Sequence, residues 1–237
     1  MSKVLINLEE KENRNTISNF LNSQKSCNLT ELFSDLKVIV NDEERSNSNS
    51  IIILGNVKTQ IGIVIKMTYD SSNKYNNSLA VERQIYENVI FKLLDNNHTP
   101  HLIAPYSFMK CTSNDFYIDD DNYDIIQINT KSMEEINDEM INLLVLERSN
   151  GIQLKYYLME YGKDIKNNLS IIFEILQCLE CCRRKGLRHN DLHFGNIFIE
   201  NLKEEKFKYY KIGDQIVKLT SSVIAKIYDW ELNRNKY

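Results

Sequence analysis

The chain is poor in the residues that build tight turns and flexible linkers. Gly occurs 7 times, Pro twice and Ala only at Ala80, Ala104 and Ala225 among 237 residues. Asn and Ile each supply about one residue in eight. Asn, Ile and Lys have A/T-rich codons and Ala, Gly and Pro do not, so the skew reads as the mark of an A/T-rich genome. No apolar run approaches the roughly 18 residues of a membrane span, and residues 1–14 lack the apolar segment of a signal peptide. Positive charge is not in excess: 29 Lys and Arg face 33 Asp and Glu, a net charge of -4. That balance argues against nucleic acid or an anionic membrane as the main partner. The cysteines are Cys27, Cys111, Cys178, Cys181 and Cys182. An odd count without a secretory signal predicts reduced thiols and an intracellular, cytoplasmic location.

What is present suffices for a globular fold. Hydrophobic residues are 42% and charged residues 26%, which excludes disorder throughout. The length allows one or two domains. Residues 1–50 are polar and read as an N-terminal extension with two short helices. Thr16 would cap one, with Ile17, Phe20 and Leu21 inward; Asn28 or Thr30 would cap the other, with Leu32, Phe33 and Leu36 inward. Residues 41–50 read as a loop. Strands follow at 51–54 and 61–67; in the second, Ile61, Ile63 and Ile65 face one way and Gly62, Val64 and Lys66 the other.

The spacing predicts a helix over 78–94, then a loop with both prolines over 98–109. Residues 112–140 are strongly acidic and read as a solvated insertion; the Asp119–Asp121 run lacks the glycine and distal glutamate of a calcium loop. A short strand follows at 143–146. The clearest helix spans 169–184, with Ile172, Ile175, Leu176, Leu179 and Cys182 at three- and four-residue spacing and Gly186 as its stop. Cys178, Cys181 and Cys182 read as core thiols and not as zinc ligands. His98 and His101 read as loop residues. A strand at 197–199, a basic hairpin at 203–218 and a last strand at 224–228 complete an α+β order of elements.

Two segments carry chemistry. In His189-Asn190-Asp191-Leu192-His193-Phe194-Gly195-Asn196, a polar loop joins the long helix to a β run. Asp191 can accept a proton from a substrate hydroxyl, the Asn196 carboxamide oxygen can bind Mg²⁺, and His189 can brace the loop. In Tyr228-Asp229-Trp230-Glu231, a carboxylate at a strand end suits Mg²⁺ held on nucleotide phosphates. Together they point to phosphoryl transfer, in which positioning and charge neutralisation dominate. Glu82 shares a helix face with Ile85, Tyr86 and Val89, so its carboxylate requires a partner.

These segments, in this order, resemble the protein-kinase-like superfamily over residues 50–232. The wording is closest to Ser/Thr protein kinases of large DNA viruses, of poxvirus or giant-virus type. The resemblance implies a two-lobe fold: a small lobe over 51–146 that contains the acidic insertion, and a partial large lobe over 147–237. It implies ATP and Mg²⁺ as cofactors, Asp191 as the base, and Asn196 and Asp229 as metal ligands. Lys66 would hold the phosphates and Glu82 would orient it. Val64 and Gly55 would border the nucleotide, and the Leu146–Glu147 backbone would meet adenine. The phosphoacceptor would be a protein hydroxyl. Aminoglycoside and choline kinases share the loop wording and the Asp-Trp-Glu ending, which makes a small-molecule alcohol the alternative. A truncated pseudokinase acting as a binding module is the third reading.

The sequence departs from the kinase pattern in three places. Only Gly55 and Gly62 stand where several glycines are usual. Asn190 and His193 replace the usual arginine and lysine of the loop. The stop at Tyr237 implies a large lobe without its activation segment and later helices, and hence a helix 169–184 with its apolar face partly exposed. A partner covering that lobe, in a cytoplasm or a virion, follows as an expectation.

Overall fold

Alternate residues of 61–67 are isoleucine or methionine, a period of two that holds still only when one face of a sheet is buried. The structure is a computed structural model and describes residues 8–24, 26–39, 51–57, 61–70, 78–129 and 140–230. The loop expected at 41–50 lies outside them, as does the 130–139 part of the acidic segment.

The chain begins with α1 (Leu8–Ser23), β1 (Cys27–Asn28), α2 (Leu29–Leu32), β2 (Phe33–Ile39), β3 (Ile51–Val57) and β4 (Ile61–Asp70). Next come α3 (Ser78–Ile85), a π turn (Tyr86–Ile90), α4 (Phe91–Asp95), β5 (Pro105–Thr112), β6 (Phe116–Tyr117) and α5 (Asp120–Asn129). The remainder is β7 (Met140–Glu147), β8 (Ile152–Gln153), α6 (Leu154–Tyr161), α7 (Ile165–Arg183), a 3₁₀ turn (Phe194–Asn196), β9 (Ile197–Ile212) and β10 (Gln215–Ile227). None of the described helices is long and apolar enough to cross a membrane. Two compact units divide these elements: residues 13–83 with 105–148, and residues 1–12, 84–104 and 149–237.

The first unit holds an antiparallel sheet ordered β2-β3-β4-β7-β5. Ile63, Ile65 and Met67 of β4 and their neighbours Ile53, Leu143 and Val145 lie fully buried on one face. Ile17, Leu21, Leu29 and Leu32 belong to the same core. Described residues within 13–39 are thus part of the sheet unit: β2 pairs with β3, and α1 continues through Thr16, which is no cap. Asn28 does cap α2, its Oδ1 accepting from the Thr30 backbone N–H at 3.1 Å.

The acidic segment is built in as well. Ile118 and Ile126 are buried in the core, and Asn122 accepts from Val38 N at 2.9 Å and donates to Leu36 O at 3.2 Å. Apolar residues set among the aspartates gave α5 a face to bury. The expectation of five reduced thiols is also corrected. β1 pairs in parallel with β6 and brings Cys27 to Cys111 of β5, and the two form a disulfide.

The second unit is organised on α7. Asp164 caps it, accepting from Asn167 N at 3.1 Å, and Gly186 ends the following turn at φ +76°. β9 and β10 form one long antiparallel ribbon. Between helix and ribbon lies a buried polar network that the sequence did not announce. Glu174 is fully buried; it accepts from Lys208 Nζ, from Ser170 Oγ at 3.2 Å and from Ala225 N at 2.8 Å. His101 is no loop residue of the surface: it is buried, with Nδ1 at 2.9 Å from Ala225 O and Nε2 at 3.0 Å from Tyr210 Oη. Burial pushes the His101 imidazole below its ordinary range, and Glu174 opposes that shift. Burial likewise lowers the Lys208 ammonium and raises the Tyr210 phenol.

Two outcomes follow. Thiol titration of the unfolded, unreduced chain should find Cys178, Cys181 and Cys182 free and no others; reduction should then lower the unfolding free energy measured in urea by about 2–4 kcal/mol. Five titratable thiols would remove the disulfide from the structure. The second outcome concerns pH. His101 binds its proton more weakly folded than unfolded, so its neutral form stabilises the fold in full above the unfolded value of about 6.5. That contribution is lost as pH falls below 6.5 toward the lowered folded value, at no more than about 1.4 kcal/mol per pH unit. His101→Gln should flatten the loss in melts compared between pH 7.5 and 5.5; an unchanged slope would assign the acid sensitivity elsewhere.

Candidate active site

The loop after α7 is held by the segment after β10. Leu187 anchors it in the core. The buried His189 donates from Nε2 to Tyr228 O at 2.8 Å and lies against Trp230, with ring centroids 4.5 Å apart. The next residue, Asn190, turns the chain at φ +59°, a left-handed conformation that Asn tolerates better than most residues. Asp191 then points outward, its side chain 66% exposed. The buried Asn196 donates from Nδ2 to Asp191 O at 3.0 Å. That bond fixes the orientation of the Asn196 amide.

His193 completes the loop. Its Nδ1 accepts from Gly195 N at 3.0 Å, which places the neutral ring's proton on Nε2, 3.9 Å from Asp191 Oδ2. A Cβ at Gly195 would stand 2.8 Å from that ring, which would have to shift.

Asp229 follows β10 at φ +66°, strained for a non-glycine residue. Its neighbour Tyr228 clamps the conformation: the backbone N–H donates to Asn196 O at 3.2 Å and the phenol donates to Gly195 O at 2.7 Å. Phe198 stacks on the Tyr228 ring at 4.8 Å. Leu102 bridges to Ile227 in parallel, and Ile103 N donates to Ile227 O at 3.1 Å, so β10 ends at a defined place. Asp191, Asn196 and Asp229 are therefore brought to one end of this unit by a lattice of backbone bonds. The donors on offer are a carboxamide and carboxylates, hard oxygens that suit Mg²⁺, which takes one or two protein carboxylates and completes its shell with phosphates and water. Among the described residues no group of three or more His, Cys, Asp or Glu is placed to cage a metal by itself. Tyr228 and Gly195 are the positioning residues that sequence reading passed over; the aromatic next to a strand-end carboxylate was the available signal.

In the sheet unit, Lys66 Nζ stands 2.7 Å from Glu82 Oε1, with both side chains largely buried. The ion pair expected from the strand lysine and the helix glutamate is formed. Val64 lies opposite Leu146 in the ladder, on the same face as Lys66. The side-chain positions of Gly55 and Glu147 lie on the other face. Both pair with Ile63 and so belong to the opposite, core-side face. A Cβ on Gly55 would meet Leu36 Cδ2 at 3.0 Å, and one on Gly62 would meet the Arg148 side chain at 3.2 Å. These glycines make room for packing by the chain itself.

No described protein family and no curated protein matches the chain. Among solved structures, it is similar to the kinase domain of maize SIRK1 (sucrose-induced receptor kinase 1) bound to AMP-PNP. The identity is 14% and the TM-score 0.41, over 72% of this chain and 48% of that one. The chain thus spans about half the length of that kinase-domain structure.

The Lys66–Glu82 pair has a measurable weight. Lys66→Met takes the cation from a buried carboxylate and should destabilise the sheet unit by about 3–5 kcal/mol. Adding Glu82→Leu should recover much of that loss in urea unfolding. A single substitution without effect would place the pair in water.

Proposed function

We propose that the chain is an ATP- and Mg²⁺-dependent phosphotransferase that moves the γ-phosphoryl group to a Ser or Thr hydroxyl of a protein. One observation supports the reading: Asn196 is pinned by its Nδ2 to the Asp191 backbone, and its backbone carbonyl accepts from the Tyr228 N–H next to the strained Asp229. An exposed carboxylate next to two prospective cation ligands is the arrangement that hydroxyl phosphorylation requires.

In this reading Asp191 accepts the proton of the acceptor hydroxyl as its oxygen bonds to the γ-phosphorus. The bond from that phosphorus to the β–γ bridging oxygen breaks, and ADP leaves. His193 Nε2–H lies beside this carboxylate, 3.9 Å from Asp191 Oδ2. Asn196 and Asp229 would hold Mg²⁺, which supplies charge neutralisation on the phosphates when bound. Lys66, oriented by Glu82, steadies the phosphates. The likeness to enzymes of large DNA viruses rests on the wording of residues 188–198 and 227–230.

A second reading, a nucleotide-free binding module, is favoured by Gly55 and Gly62, whose space is taken by Leu36 and Arg148. A third, a small-molecule kinase, is favoured by His193 in the loop.

A thermal melt separates the first two. ATP with Mg²⁺ at one hundred times its dissociation constant should add about 2.7 kcal/mol, and Asp229→Asn should lose the Mg²⁺-dependent part. Asp191→Ala should keep the shift while turnover falls by about 10²–10⁴-fold. A cooperative melt that ATP leaves unmoved would overturn the enzymatic reading. Nucleotide consumption with a free alcohol and none with protein would move the assignment to the small-molecule class.

A further inference from the structure

The two sulfurs of the Cys27–Cys111 disulfide stand in different surroundings. Within the sheet unit, a recess of about 220 Å³ lies between the end of α1 and β5. Cys27 lines it, with Asn22, Gln24, Ser26 and Ser107 as polar neighbours, and Cys111 does not. Ser107 Oγ donates to Asn22 Oδ1 at 2.8 Å, so α1 is tied to β5 beside the recess by a bond that does not involve sulfur.

The backbones that carry the two sulfurs also differ. Cys111 is fixed in the β5–β7 ladder opposite Ile141, is 2% exposed and belongs to the core of the sheet unit. A group added to its sulfur would have to enter that core, where space is already filled. Cys27 is buried too, at 7% exposure, but its strand has two residues, which pair with Phe116 and Tyr117. The chain leading into it runs at the surface: Gln24 is half-buried and Ser26 is exposed. A small turn of this segment carries the Cys27 sulfur outward. No rung of the five-stranded sheet is broken, because β1 lies outside that sheet.

Exchange of a disulfide proceeds by attack of a thiolate on one sulfur while the other leaves, and access decides which sulfur is attacked. We propose that Cys27 is a site of reversible S-thiolation, the sulfur at which a small polar thiol of the glutathione class enters and leaves. The incoming thiolate bonds to Cys27 Sγ as the bond to Cys111 Sγ breaks. The electron pair of that bond departs on Cys111 Sγ, which then takes a proton from water. The incoming sulfur is oxidised and Cys111 is reduced, so the step needs no further oxidant. Attack of the Cys111 thiolate on Cys27 Sγ expels the small thiol and restores the disulfide. The recess has the size for a small molecule, and its amide and hydroxyl lining suits a peptide-like one; the thiol of a folded protein would need Cys27 to stand clear of the surface. The three thiols outside the disulfide do not compete. Cys178, Cys181 and Cys182 are 0%, 5% and 1% exposed, and burial pushes the Cys178 thiol well above its ordinary range, away from the reactive thiolate.

The test begins with the full chain, folded and oxidised, in excess reduced glutathione at mildly alkaline pH. Samples are quenched in acid, unfolded, alkylated and mapped by peptide mass spectrometry. Glutathione should sit on Cys27 and the alkyl group on Cys111, in at least about tenfold excess over the reverse arrangement, because attack is confined to the reachable sulfur. Cys178, Cys181 and Cys182 should carry the alkyl group alone. Two variants, each given glutathione disulfide, approach the same question from the other side. In Cys111→Ser, the remaining Cys27 thiol should take up glutathione while the chain is folded. In Cys27→Ser, Cys111 should take it up only in urea. Both variants lack the disulfide, so each is read only if it melts cooperatively; mapping of the parent chain depends on neither. Glutathione on Cys111, an even split between the two, or an adduct that forms only after unfolding overturns the proposal. So does reduction by a protein dithiol of the thioredoxin type where glutathione gives no adduct.

Discussion

A carboxylate with no access to water sets the geometry of the helix and ribbon unit. Removing a charge from solvent costs several kcal/mol, and only good geometry with several donors offsets it. Glu174 has those donors: Lys208 from the middle of β9, the Ala225 amide from β10 and Ser170 from its own helix. His101, held between Ala225 and Tyr210, joins the preceding segment to the same point. Nearly every partner of Glu174 lies far from it in sequence, so the network locks separate elements in one arrangement. α7 leads into the loop of Asp191, and β10 runs on from Ala225 to Asp229. The carboxylate therefore sets the distance between the two chemical segments without belonging to either.

Strain is present where those segments meet, as it is at Asp35 and Asn97. Asn190 and Asp229 both adopt positive φ. Such a conformation persists in a non-glycine residue only where the surroundings over-determine it. Here the surroundings are identifiable: His189 grips the Tyr228 carbonyl, Tyr228 grips Asn196 and Gly195 by backbone and phenol, and Asn196 grips Asp191. Each segment is the other's clamp. The sheet unit organises its charged pair by a different principle. Lys66 extends from a strand whose opposite face is solid hydrocarbon, and Glu82 rises from a helix face with Ile85 and Tyr86 buried beside it. The pair closes because neither group has water enough to stand alone.

Much of this was legible along the chain. The alternation in 61–67 predicted which side of the strand is buried, Gly186 marked the end of the long helix, and an otherwise apolar helix face at Glu82 called for a cation. The loop at 189–196 and the carboxylate at 229 stood out because polar residues interrupt apolar runs there. All of these are signals within a few residues of one another. The pairing of β2 with β3, the disulfide, the packing of Gly55 under Leu36 and the burial of His101 and Lys208 left no such local trace. Each depends on a partner tens of residues away.

Helix α7 draws the boundary most sharply. Its three- and four-residue spacing determined that Ile172, Leu176 and Leu179 would share a side. Spacing cannot say what lies opposite that side. A ribbon that offers Lys208, Ala225 and Tyr210 requires a carboxylate and small polar groups from the helix, and the leucines were turned to the outside by default. The sequence determined the elements and the chemical groups they carry, because these follow from local periodicity and side-chain type. The tertiary structure alone decided which faces meet, because the free energy of burying a charge or a methyl group depends on the whole of its surroundings.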